Sequence, residues 1–302
     1  MRFFLPLMLL LLALPACNNV SARQWLDPDT EFKEFGQPDV PTMQTTQEEQ
    51  AKQALEKEDF ARAAGIYKQL MDRKKVSTAD QERYTIALAD IDRRVGQYES
   101  AIAQYDSVLE KNSGQLDALE GKGLAMMAQG QIAEAAQLFK TVIAADAKRW
   151  RTLNALGILF TTKNMHPEAM VYYAEAMKVS KDNAAVLNNV GLSQAIAQNY
   201  QRAVSAMTQA SRVAVSDARR KQIDLNLALI YGIQGDFDAA RRTAEKHLSG
   251  ATLQNNLGLY AHLANNQELA KVYLNQALSS STTYYERAWK NLDIISGKGA
   301  GE

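Results

Sequence analysis

From about residue 44 onward the chain sets apolar side chains three and four residues apart, the spacing that lines one face of an α-helix. The pattern recurs along the chain. A small residue returns as Ala51, Ala89, Gly123, Gly157, Gly191, Ala228 and Gly258, in steps of 38, 34, 34, 34, 37 and 30. Twelve residues after each stands an alanine: Ala63, Ala101, Ala135, Ala169, Ala203, Ala240 and Ala270. Three residues before each alanine the side chain is bulky, as Phe60, Tyr98, Ile132, His166, Tyr200 and Phe237, with Gln267 the exception. Four residues after it stand Tyr67, Tyr105, Phe139, Tyr173, Met207 and Leu274, with Ala244 the weak member.

These offsets predict pairs of amphipathic helices. The small residues mark where one helix crosses its partner closely, and the bulky ones fill the holes around that crossing. Between the helices of a pair stand Gly96, Gly130, Asn164, Gln198, Gly235 and Asn265. Gly and Asn tolerate the left-handed conformation that ends a helix. Proline usage agrees. Five of the six prolines lie within the first 41 residues, and only Pro167 follows. Proline inside a helix costs about 3 kcal/mol, so the rest of the chain is permissive for helix. Pro167 falls at the start of a second helix, where its missing N–H costs nothing.

A 34-residue helix–turn–helix unit with these small and bulky positions resembles the tetratricopeptide repeat. The resemblance implies an all-α solenoid of about seven repeats with a C-terminal capping helix. The repeats are expected at 44–81, 82–115, 116–149, 150–183, 184–217, 221–250 and 251–284. Extra residues are placed at Thr78–Gln81 and Ala218–Arg220, and the sixth repeat is shortened. Residues 285–295 read as the cap, with Ala288, Trp289, Leu292 and Ile295 on one face, and 296–302 as a tail. Gly123, Gly157, Gly191 and Gly258, with Ala135, Ala169, Ala203 and Ala270, are the expected packing positions.

The N-terminus differs from the rest. Arg2, then an apolar stretch from Phe3 to Leu14 broken only by Pro6, then Pro15-Ala16, has the form of a secretory leader. The stretch is too short to span a bilayer, which takes about 20 residues. Leu14-Pro15-Ala16-Cys17 resembles the bacterial lipobox, with Pro15 a less usual choice. That resemblance implies removal of residues 1–16 and lipidation of Cys17, the only cysteine in the chain. An ordinary leader with an incidental cysteine is the alternative. Several acyl chains on one residue anchor stably, at about 0.8 kcal/mol per buried methylene. Asn18, where aspartate would favour the inner membrane, is similar to outer-membrane sorting. Residues 17–43 read as the lipidated end and a tether that carries Trp25, Phe32 and Phe35. These aromatics dock on the folded body or contact lipid or a partner.

Charge narrows the function. The chain has 34 Lys+Arg and 34 Asp+Glu, which argues against nucleic acid as a partner. Without Arg2 the mature chain would carry 33 basic and 34 acidic residues, a net charge of −1. Lipid rather than basic residues would then hold it at a membrane, facing the periplasm. One Cys excludes an internal disulfide, and His166, His247 and His262 sit at unrelated repeat positions, so no metal site is expected. Gly121-Lys122-Gly123 lacks the frame of a phosphate loop, and no nucleophile motif such as G-x-S-x-G occurs. No catalytic residue, cofactor or small-molecule substrate is expected.

Repeats of this family line a concave surface with their first helices. The position after the small residue reads Asp90, Leu124, Ile158, Leu192, Leu229 and Leu259 from the second repeat on. Four residues earlier stand Ile86, Glu120, Asn154, Asn188, Leu225 and Asn255. Leu124, Asn154, Ile158, Asn188, Leu192, Leu225, Leu229, Asn255 and Leu259 are therefore the candidate partner groove. Its aliphatics would take an apolar or amphipathic segment, with Asn side chains fixing the segment's backbone. The alternative is that the aliphatics pack on neighbouring repeats or on the tether.

Residues 219–237, a basic Arg-Arg-Lys lead into Asn226-Leu227-Ala228-Leu229-Ile230-Tyr231-Gly232 and Gly235, followed by Asn255-Asn256-Leu257-Gly258, resemble the TadD family. These are lipidated repeat proteins of the tight-adherence (Flp) pilus system. The resemblance implies a pilotin-like role: helping the pilus secretin, with other assembly proteins of that system, reach or assemble in the outer membrane. The type IV pilus pilotins and a general periplasmic scaffold of the envelope or cell-wall machinery are the runners-up.

Overall fold

The computed structural model describes residues 43–281 and 286–295. The expected leader, Cys17, the tether with Trp25, Phe32 and Phe35, residues 282–285 and the tail lie outside the described residues. Among the described residues all regular structure is α-helical, in fifteen helices. The first helices of the seven pairs are α1 Met43–Glu56, α3 Thr78–Arg94, α5 Leu116–Ala128, α7 Trp150–Thr162, α9 Ala184–Ile196, α11 Asp217–Ile233 and α13 Gly250–Leu263. Their partners are α2 Phe60–Met71, α4 Tyr98–Leu109, α6 Ile132–Ala145, α8 His166–Val179, α10 Tyr200–Val213, α12 Phe237–Ala244 and α14 Gln267–Ser279, and α15 Glu286–Ile295 follows them. We call the two members of a pair the A and B helix. The chain divides into two compact units between Leu159 and Phe160, inside α7.

The spacing of the sequence pattern becomes geometry directly. Each of the seven B helices begins on the residue three before the recurrent alanine, Gln267 included. All seven of those alanines are fully buried, and the residues four further on are buried as well. The A helices carry the small residue at the crossing. A Cβ placed on Gly123 would stand 2.6 Å from a Phe139 ring carbon. On Gly191 it would stand 2.7 Å from Met207, and on Gly258 2.8 Å from Leu274 and 3.2 Å from the Ala270 carbonyl. Real Cβ atoms do not approach so closely, so helix separation and residue size are one constraint.

Every A helix stops in the same way. The second residue after its last takes a positive φ: Glu58, Gly96, Gly130, Asn164, Gln198, Gly235 and Asn265, between 57° and 85°. In the third repeat the Gln131 N–H donates to the Met126 carbonyl at 2.9 Å and the Gly130 N–H to Met127 at 3.0 Å. That 6→1 and 5→2 pair is the Schellman arrangement, which satisfies carbonyls that the helix end leaves open. The same two bonds recur at all seven stops. Glu58 was not readable as a stop, because glutamate has no preference for that conformation. Pro167 lies in the first turn of α8, as expected.

Two expected insertions fall elsewhere. Thr78–Gln81 does not close the first repeat but opens α3, whose N-terminus is capped by the Ser77 hydroxyl accepting from the Asp80 N–H at 3.0 Å. Residues 218–220 likewise lie inside α11, capped by Ser216 accepting from Arg219 N–H. A serine with an extended backbone starts each helix about a turn early. Both A helices therefore reach 17 residues. The sixth repeat is shortened in its B helix, α12, which has 8 residues.

The capping helix is also corrected. Ala288 and Asn291 are buried and Leu292 and Ile295 pack toward Leu274 and Ala277, but Trp289 is 48% exposed. The buried face therefore runs 288–291–292–295, and Trp289 stands on its edge.

Two changes test the stops. Gly130→Ala forces a Cβ into the left-handed region and should cost about 1–2 kcal/mol in urea unfolding. Gln198→Gly should instead raise stability by under about 1 kcal/mol, once glycine's added chain entropy is subtracted.

Candidate partner-binding face

The expected groove residues all belong to A helices. In the residues up to Leu159, Leu124 sits on α5 and Asn154 and Ile158 on α7, and all three are buried. In the residues from Phe160 on, Asn188 and Leu192 sit on α9, Leu225 and Leu229 on α11, and Asn255 and Leu259 on α13. Of these six only Leu225 is partly exposed; it packs beside Leu229, Leu253 and Leu257. Eight of these nine positions are buried within the full chain.

The asparagines show what the burial accomplishes. Asn226 Nδ2 on α11 donates to Asn188 Oδ1 on α9 at 2.9 Å. Asn291 Nδ2 on α15 donates to Asn255 Oδ1 on α13 at 2.9 Å. Each bond ties one A-type helix to the next. Thr161 on α7 donates to Ser193 on α9 at 3.0 Å. In the other unit Glu120 on α5 accepts from both the hydroxyl and the backbone N–H of Thr152 on α7, at 2.5 and 3.1 Å. Glu48 on α1 accepts from Tyr84 and Arg83 on α3. Buried polar groups must be paired, so these bonds fix the register of successive repeats as well as their distance. Asn188 and Asn255 hold neighbouring helices through Oδ1. The Nδ2 of Asn255, fully buried, has no hydrogen-bond partner among the described residues.

Sequence reasoning missed two further close approaches. A Cβ on Gly121 would stand 2.4 Å from the Tyr105 ring, and one on Gly232 2.5 Å from Tyr260 Cβ. Gly121 leaves room for the Tyr105 hydroxyl, which donates to Asp90 Oδ1 at 2.6 Å. The available signal was a second glycine two residues before the crossing glycine. It was read only against a phosphate loop.

The titratable groups have structural surroundings. Burial raises the Tyr105 phenol well above its ordinary range, and the Asp90 carboxylate adds to this. Burial pushes Tyr67 up to about 12. His166 bonds Ser193 at 3.1 Å and Asn164 at 2.9 Å, and burial lowers its pKa. His247 meets the buried Asp224 at 2.7 Å, and Ser211 donates to the other Asp224 oxygen at 2.5 Å. Asp224 sits between the other two, so the hydroxyl and imidazole do not meet as a nucleophile and base would. Among the described residues no group of three or more His, Cys, Asp or Glu is arranged to hold a metal ion. Among the same residues no helix is long and apolar enough to cross a membrane.

Comparison with known proteins agrees with this geometry. Residues 86–149 and 125–185 match the tetratricopeptide repeat family model. The chain has a tetratricopeptide-repeat fold. A tetratricopeptide repeat protein from Parabacteroides merdae superposes with a TM-score of 0.54 over 84% of this chain and 98% of its own, at 17% identity. The structure of the APC/C hetero-tetramer Cut9–Hcn1 gives 0.59 over 83% and 49%, at 13% identity. That of Pseudomonas aeruginosa pilF gives 0.52 over 72% and 97%, at 16%. These identities establish shared fold alone. Among curated proteins, a probable UDP-N-acetylglucosamine–peptide N-acetylglucosaminyltransferase SPINDLY of Hordeum vulgare is 27% identical over 165 residues. The match covers 52% of this chain and 17% of that protein, so the transferase named there stays with the barley protein.

Two substitutions test the face. Gly191→Leu should overpack the α9–α10 crossing and cost about 1–3 kcal/mol. Asn188→Ala should leave the Asn226 amide buried without its acceptor, at a cost of about 1–3 kcal/mol. Replacing both asparagines by leucine should recover part of that loss in denaturant unfolding, since the Asn226 amide is then gone as well.

Proposed function

We propose that this chain is a lipid-anchored, periplasm-facing assembly factor of the outer membrane, serving the tight-adherence pilus by guiding its secretin into place. One combination carries the reading: Leu14-Pro15-Ala16-Cys17 followed by Asn18, joined to a body of tetratricopeptide repeats. The pilus assignment is supported by the resemblance of residues 219–237. In the body that segment forms α11 and its stop, where Asn226 holds Asn188, Gly232 admits Tyr260 and Gly235 takes φ +85°. Its distinctive residues therefore specify how the sixth and seventh repeats are built. The body supplies repeated helix pairs, and its contribution would be to hold a partner near the membrane. Lipid on Cys17 would set where that holding takes place.

Cys17→Ser should move the protein from the outer-membrane fraction to the soluble periplasm; unchanged fractionation would refute the anchor. Affinity capture from detergent-solubilised envelope should recover a secretin with pilus components. Recovery of cell-wall synthases instead would replace the pilus reading with that of a general envelope scaffold.

A further inference from the structure

Where α7 turns into α8, four side chains form a hydrogen-bonded row. The Tyr173 hydroxyl on α8 lies 3.2 Å from the Thr161 hydroxyl on α7, and Thr161 donates to Ser193 Oγ on α9 at 3.0 Å. Ser193 Oγ stands 3.1 Å from Nδ1 of His166, the first residue of α8, and His166 Nε2 stands 2.9 Å from Asn164 Oδ1. Tyr173, Thr161 and Ser193 are 1%, 5% and 0% exposed, whereas the imidazole at the end of the row is only partly buried. Solvent therefore reaches the ring but not the hydroxyls.

The directions of these bonds follow from counting hydrogens. A hydroxyl has one hydrogen to donate, and an amide oxygen has none. Asn164 Oδ1 only accepts, so Nε2 carries its hydrogen and Nδ1 of a neutral ring is left to accept. Thr161 gives its hydrogen to Ser193, so it takes one from Tyr173, and Ser193 gives its own to Nδ1. Three links then hold three hydrogens, and each buried hydroxyl is satisfied. A protonated ring brings a fourth hydrogen, on Nδ1, to the same three links. Either Ser193 loses its acceptor, or the row reverses and Tyr173 loses one. In both cases a buried hydroxyl has no acceptor in the row, which is the costly arrangement.

Charge does little to offset this. Among the described residues α9 carries no titratable side chain, and α7 carries only Arg151, in its first turn. Lys163 in the turn and Glu168 on α8 are exposed, and Glu175 and Lys178 further along α8 pair with each other at 2.5 Å. Burial is accordingly the one cause that acts on the ring, and it lowers the pKa of His166.

We propose that this row is a proton-operated latch, which closes α8 on α9 while the His166 ring is neutral and opens when the ring is protonated. Its links come from α7, α8 and α9, so opening loosens the joint between the fourth and fifth repeats and leaves the crossings within each pair in place. The unfolded chain takes up a proton near the ordinary imidazole value, about 6.5, more readily than the folded one. The latch therefore holds above about pH 6.5 and weakens as the pH falls below it. Acid would change the surface that these repeats offer a partner without unfolding them. The latch depends neither on which partner binds nor on the lipid anchor.

The full-length chain, isotope-labelled at its histidines, tests this by NMR. The His166 signal, assigned by its loss in His166→Gln, should titrate with a midpoint below about 6.5. In Ser193→Ala, where no hydroxyl meets Nδ1, the midpoint should rise. A midpoint at or above the ordinary value in the unaltered chain would overturn the proposal, as would an unchanged midpoint in Ser193→Ala. Amide hydrogen exchange, corrected for its intrinsic dependence on pH, gives a second readout. Residues 184–196 should exchange about tenfold faster at about pH 5 than at about pH 7.5, the lower part of the range for a buried hydroxyl that loses its acceptor. Residues 43–56 should not change, and His166→Gln should abolish the difference. Equal protection at the two pH values, an equal rise in residues 43–56, or the same rise in His166→Gln would each overturn the latch.

Discussion

The close crossing of each A helix over its B helix is the contact on which the rest of the body depends. At Gly123, Gly191 and Gly258 the backbone of one helix lies against a side chain of the other with no space for a Cβ. Phe139, Met207 and Leu274 are drawn into that space and are fully buried by it. The crossing fixes helix separation, and the separation decides which side chains on the flanks can meet. The inter-repeat bonds of Asn188 with Asn226, and of Asn255 with Asn291, presuppose that spacing. A longer side chain at the crossing would part the helices and strip these amides of their partners together.

The stops contribute the second half of the geometry. Seven A helices end in the same two hydrogen bonds, with glycine at three of the stops and other residues at four. The repeated turn therefore does not require glycine; tertiary packing holds Glu58 and Gln198 in a conformation that their side chains disfavour. Variation between repeats is admitted mainly at the other end of the A helix. Ser77 and Ser216 each start a helix about a turn early, and the crossing still falls in register because the extra length lies before it. Repeat steps of 38 and 37 residues are accommodated in this way.

Much of the fold was legible because it rests on local rules. Small residues, bulky residues at fixed offsets and left-handed stops are each set by neighbours close in sequence or at one repeat's distance. The first residue of every B helix was marked in this way. Legibility failed where a residue's role depended on a second repeat. Asn188 and Asn255 read as groove residues, because their partners Asn226 and Asn291 stand 38 and 36 residues on, outside the 34-residue register. Trp289 read as core from spacing alone, but the C-terminal helix has a neighbour on only one side. The leucines of the candidate face were identified by position, while their burial rests on core clusters shared with other helices, as for Leu192 and Leu229.

That burial changes how a partner site in this chain should be understood. Ala185, Asn189 and Leu192 are buried, so they cannot select a partner by simple exposure. A ligand must offer more than the contacts that bury these residues, and the difference alone appears as affinity. An unpartnered Asn255 amide is then informative, because a buried donor without an acceptor costs about 1–3 kcal/mol. A partner backbone that supplied the acceptor would recover this amount in addition to its apolar contacts. Selectivity would follow from the asparagine as much as from the leucines. The leucines reward any apolar segment of suitable width, but the amide rewards only one whose carbonyl arrives at a single position along the face.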